Sequence, residues 1–157
     1  MAALFVLVFI ALFALLMFAM RGKDPVIENE PAAIIDCARK SISDFSNQSF
    51  PDCTEIIIDQ LRRMDPSNSA YRPFRKDIKL KTYAMILDAC VFLLESGEYT
   101  IGGGLITGFG AQIVEIAKTA NHALLLEKGI TVQQYDFLNE QIRNAQRPQM
   151  FRQLFGD

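Results

Sequence analysis

Apolar residues recur along this chain at helical spacing, with one continuous exception at its start. Met1 to Met20 carries no charged or hydrogen-bonding side chain. At ~1.5 Å rise per residue, about 20 apolar residues match the roughly 30 Å hydrocarbon core of a bilayer, where a helix satisfies its own backbone groups. The pattern predicts a single transmembrane helix over residues 1–21. A cleaved secretory signal is the rival reading. It normally has a basic leader and a small-x-small cleavage site, and neither is present around Met17–Arg21. Arg21 and Lys23 follow the apolar run directly, so the positive-inside rule places the N-terminus outside and the body in the cytoplasm. A body on the periplasmic side, as part of an envelope or secretion apparatus, is the alternative. Phe5, Phe9 and Phe13 share one face of the span, which has no Gly, Ser or Thr to hold a partner helix, so lipid contact is the simpler expectation.

Residues 22–30 read as a short polar linker, and from Pro31 onward the periods are those of amphipathic helices. Ile34, Ala38, Ile42 and Phe45 define a first helix that ends at Ser46–Ser49. Pro51 opens a second, with Ile57, Leu61 and Met64 on one side and Asp65–Pro66 at its end. The β-branched triplet Ile56–Ile58 argues against it locally. Pro73 starts the longest helix, which runs to Ser96–Gly97 with Phe74, Ile78, Met85, Ala89 and Phe92 inward. Asp77, Lys81, Asp88 and Glu95 form a thin solvent stripe on it, and Asp77 is spaced to pair with Lys81.

A fourth helix is expected from Leu105 to Lys128 with Leu105, Phe109, Ile113, Ile116, Ala120 and Ala123 inward. Gly129 is its left-handed terminating residue and Ile130 the hydrophobic residue after it. Thr131–Gln134 fits a capping box for a fifth helix with Tyr135, Leu138, Ile142 and Ala145 on one side. No long period-two run argues for a sheet. The fold class is therefore all-α, an N-terminal transmembrane helix followed by a small bundle of about five helices over residues 31–147, with an amphipathic tail at 148–157. Short connections predict antiparallel neighbours.

Charge changes the picture by exclusion. The 157 residues carry 16 Lys and Arg against 18 Asp and Glu, a net charge of −2, which gives no electrostatic case for nucleic acid. Cys37, Cys53 and Cys90 match no zinc or redox spacing, and His122 is the sole histidine, so free thiols in a reducing compartment are expected. No cofactor signature is present.

The glycine-rich stretch Ile101–Gly110 invites a phosphate-binding reading. It lacks a Gly-Lys-Ser/Thr ending and a preceding strand. Close helix packing at Gly104 and Gly108 fits better, since neither has a Cβ to hold a neighbour away. The uncharged run Tyr99–Val114 is also a short candidate for partial membrane insertion. The basic cluster Arg72, Arg75, Lys76, Lys79 and Lys81 is either a solvated helix face or a patch that lays the body on anionic lipid. Met150, Phe151, Leu154 and Phe155 form an apolar cluster that packs on the body or docks a partner subunit. Cys53 in a helix's first turn is a candidate low-pKa thiol, although an ordinary core cysteine is the plainer reading. His122 is expected on the surface, and Asp88 on the solvent stripe.

The chain thus reads as a non-enzymatic, membrane-anchored helical interaction protein. Its expected partners are the lipid bilayer and the subunits of a larger membrane complex, in which it serves as an accessory or assembly subunit. The alternative is an enzymatic, lipid-handling or small-ligand-handling domain, with its pocket between helices three and four near Asp88 and Cys90.

Overall fold

The computed structural model describes residues 29–45, 51–101, 105–106 and 108–146. The expected anchor Met1–Met20, Gly104 and the tail residues Met150, Phe151, Leu154 and Phe155 lie outside the described residues. Among those described, no helix is long and apolar enough to cross a membrane.

The described body is an all-α bundle of α1 (Glu30–Phe45), α2 (Pro51–Arg63), a 3₁₀ helix (Ser69–Phe74), α3 (Ile78–Glu95), α4 (Gly108–Leu126) and α5 (Val132–Ala145). A minimal antiparallel ladder, β1 (Thr100–Ile101) with β2 (Leu105–Ile106), joins α3 to α4. The uncharged run Tyr99–Val114 is therefore split between this hairpin and the first turns of α4, and is no continuous inserted helix. The fourth helix begins at Gly108 rather than at Leu105.

α3 is the axis of the bundle, with Met85, Ile86, Ala89, Cys90 and Leu94 sealed on nearly every side. α2 forms despite its β-branched triplet because Ile57 and Ile58 are both fully buried, so tertiary burial outweighs local propensity. Its ends also suit the helix dipole, with Asp52 in the first turn and Arg62 and Arg63 in the last. Asn121 of α4 reaches Tyr135 and Asn139 of α5, and Lys79 at the start of α3 reaches Glu127 beyond the end of α4. Both pairings fit antiparallel neighbours. α1 departs from that pattern. Glu30 at its first turn meets Lys81 while Phe45 at its last meets Tyr83, with ring centroids 5.5 Å apart, so α1 crosses the first turns of α3 instead of lying alongside.

Several expectations need correction. Pro73 lies within the 3₁₀ helix, and α3 starts five residues later because Asp77 caps it, accepting from the N–H groups of Lys79 (2.9 Å) and Leu80 (3.1 Å). Asp77 is thus no partner for Lys81, which is buried under the start of α1 and pairs with Glu30. Phe92 is 58% exposed and shares the solvent stripe with Asp88 and Glu95. In a helix apolar almost all round, the sequence does not say which arc faces outward. Phe109, in the first turn of α4, is likewise exposed, at 41%.

At the end of α4, the Lys128 N–H donates to the Leu125 carbonyl (3.1 Å) and the Gly129 N–H to the Leu124 carbonyl (2.8 Å), the two bonds of a Schellman ending. The left-handed residue is Lys128, with φ 57°, one position earlier than expected. Gly129 instead sits in a tight space. A Cβ there would lie 3.0 Å from Leu80 Cδ2 and 3.3 Å from the Leu124 carbonyl oxygen. The capping box at Thr131 and Gln134 forms as the sequence predicts, with both reciprocal bonds present.

Candidate functional site

The basic cluster is assembled from three short pieces of chain. Asp65 turns the chain after α2 by accepting from the Ser67 N–H (2.9 Å) and hydroxyl (2.7 Å), and those bonds hold its carboxyl below the usual range. Asn68 then caps the 3₁₀ helix by accepting from the Ala70 N–H. Tyr71 anchors that helix to α3, its hydroxyl donating to Asp88 Oδ2 at 2.6 Å. Burial and this bond push the Tyr71 phenol well up. The result displays Arg72, Arg75, Lys76 and Lys79 on the surface at the start of α3, all four exposed.

The fifth member, Lys81, does not belong to this face. Its side chain is 7% exposed and its ammonium lies 2.5 Å from Glu30 Oε1, so its charge is spent holding the start of α1 against α3. Lys79 is bonded to Glu127 at 2.8 Å and stands 5.7 Å over the Tyr83 ring, and the bond to Glu127 raises its pKa. The cluster sits at a helix N-terminus, where the dipole disfavours cations. No acidic residue occupies the first turn of α3. Arg72, in the last turn of the 3₁₀ helix, suits the dipole of that helix, and the Asp77 cap supplies a carboxylate at the start of α3.

The other sequence candidates separate cleanly. Gly108 is exposed, and a Cβ built on it meets nothing within 4 Å, so it makes no close helix approach. Cys53 is fully buried, and desolvation drives its thiol up to about 11, the reverse of dipole activation. Cys90 is buried with it and shifted the same way. His122 is exposed, its ring edge-on to Tyr135 at 6.2 Å. Asp88 lies on the solvent stripe as expected, bonded to Tyr71. Among the described residues no three His, Cys, Asp or Glu side chains converge as metal ligands.

Two concavities lie away from the helix-three and helix-four pocket that the sequence suggested. One is a small apolar groove of about 180 Å³ beside the start of α1, lined by Pro31, Ile34, Ile35, Leu61, Met64 and Met85 among others. The second, about 350 Å³, opens between α4 and α5 and is lined by Lys118, Tyr135, Asn139, Ile142, Arg143 and Gln146. None of the residues of this second groove was singled out from the sequence as a binding group. A signal did exist in Asn121, which falls on the inward arc of α4 four residues after Ala117 and is fully buried. A polar residue at a core position marks a polar seam between helices. Comparisons of the chain with protein families, curated proteins and solved structures find no match.

Proposed function

We propose that this protein is a membrane-tethered helical binding module whose cationic end rests on anionic lipid, and that it works through contact with partner subunits rather than turnover. The observation that carries this reading is the Glu30–Lys81 ion pair. It fixes the start of α1, nine residues after Arg21, beside the first turn of α3 where Arg72, Arg75, Lys76 and Lys79 are displayed. A linker of that length spans at most about 30 Å. A body held so close to a bilayer by its start of α1 turns this end, with its basic residues, toward the headgroups. Arg21 and Lys23 put the body on the cytoplasmic side, where the leaflet is anionic.

Each cation near such a surface contributes about 1 kcal/mol, so removing three charges weakens adsorption by about 3 kcal/mol, on the order of a hundredfold. The test uses the chain without residues 1–20, because the apolar segment would hold any variant on the membrane. It should co-sediment with phosphatidylserine-containing vesicles and not with pure phosphatidylcholine. Joint replacement of Arg75, Lys76 and Lys79 by Gln should abolish that difference. Unchanged co-sedimentation would remove the lipid-docking part of the reading. The tether itself is tested separately: full-length protein extracted from membranes by alkaline carbonate would refute it.

A further inference from the structure

We propose that the groove between α4 and α5 binds a small organic anion carrying a carboxylate or phosphate group. It is lined by two cations from two helices, Lys118 from α4 and Arg143 from α5, together with the amides of Asn139 and Gln146 and the less polar Tyr135 and Ile142. The volume, about 350 Å³, is that of a small-metabolite site. Neither acidic neighbour lines the groove. Glu115 approaches Lys118 at 3.7 Å and Glu140 approaches Arg143 at 3.0 Å, both as exposed i,i+3 pairs on the outer surface. Such pairs are weak and readily exchanged for a better acceptor held between two cations.

Two of the lining residues are held by a fixed polar contact from α4. Asn121 is fully buried and its Nδ2 donates to the Tyr135 carbonyl and to Asn139 Oδ1, each at 3.1 Å. Those bonds fix the orientation of its amide, because the Tyr135 carbonyl can only accept. Asn121 Oδ1 is left buried with no protein partner. A buried acceptor in that condition is normally met by an ordered water, and the two bonds made by Nδ2 hold the Asn139 wall of the groove to α4. Asn139, accepting through Oδ1, keeps its own Nδ2 donors on the opposite edge of the amide. The site is also separate from the cationic face: Lys118 precedes Glu127, the partner of Lys79, by nine residues, about 13 Å along α4.

The experiment is a titration of full-length ¹⁵N-labelled protein in uncharged detergent with inorganic phosphate, pyrophosphate and citrate, at ionic strength held constant with sodium chloride. Saturable shifts confined to the Asn121 and Asn139 side-chain amides and the backbone around Lys118 and Arg143 are expected with at least one probe. Lys118→Gln and Arg143→Gln, both at exposed positions, should each raise the apparent Kd by about tenfold, the effect of losing one charged hydrogen bond. Asn139→Asp keeps the acceptor for Asn121 but adds a negative charge to the wall, and should abolish binding with the remaining spectrum unchanged. Lys79→Gln should change nothing. Shifts that track ionic strength alone, or that weaken equally with Lys79→Gln, would overturn the proposal. So would binding that persists in Asn139→Asp.

Discussion

Replacing Glu30 by Gln should destabilise the bundle more than replacing Lys81 by Met, although both remove the same ion pair. Lys81 is 7% exposed at the side chain and Glu30 33%. The two partners therefore face different alternatives when the other is lost. In Glu30→Gln an ammonium remains under α1 without its acceptor, a situation that costs about 3–5 kcal/mol for fully buried pairs. Two features reduce that figure. The four-carbon stem lets the ammonium move toward solvent, and Asp65 lies close enough for Lys81 to lower its pKa, leaving a residual counter-charge. A cost of about 2 kcal/mol is the reasonable expectation. In Lys81→Met an unbranched apolar chain follows the path of the lysine stem, and the partly exposed Glu30 carboxylate returns to water. That change should cost less than about 1 kcal/mol. For a body of this size about 1 kcal/mol corresponds to roughly 4 °C, so thermal melts followed by circular dichroism should show falls of about 8 °C and under about 4 °C. Equal falls, or a larger one for Lys81→Met, would show that the ammonium is not desolvated and that the pair does not pin α1.

Four further outcomes follow from named contacts. Lys128→Gly should raise stability by about 1 kcal/mol by removing the left-handed penalty at φ 57°, whereas Gly129→Ala should lower it because its Cβ presses on Leu80 and the Leu124 carbonyl; urea titrations of the two should move in opposite directions. In the folded protein only Cys37 of the three thiols should react with a thiol reagent at neutral pH, with all three reacting once denatured, since Cys53 and Cys90 are buried. Cys53 has its thiol raised from 9.0 to about 11, and a raised acid favours the fold in its neutral form, so that stabilisation is complete below pH 9 and is lost as pH rises toward 11. Cys90 and Tyr71 shift in the same direction and steepen the loss, which would be read as a falling urea midpoint across that window. Thr131→Ala removes the side-chain half of the capping box and should cost about 1 kcal/mol by the same urea assay.

Local chemistry carried much of the fold. Helix positions for α1, α2 and α5 could be read directly, since a stripe of apolar residues every three or four positions leaves one burial solution, and Thr131–Gln134 carries its cap in four residues. The start of α3 was legible in principle. Asp77 was the cap signal, masked by Pro73 four residues earlier. What sequence could not decide was anything fixed by a distant neighbour. Lys81 and Lys79 are two residues apart and chemically identical, yet one is buried against α1 and the other exposed beside Glu127, because only the first lies under a crossing helix. Phe92 went outward for the same reason in reverse: a helix apolar on all sides has no preferred face until its neighbours take theirs. The α4 and α5 groove joins side chains from Lys118 to Gln146, and no spacing rule spans two helices whose relative rotation is set by packing. The periodicity of the chain determined which segments coil, and the closing of the bundle alone determined which polar groups meet.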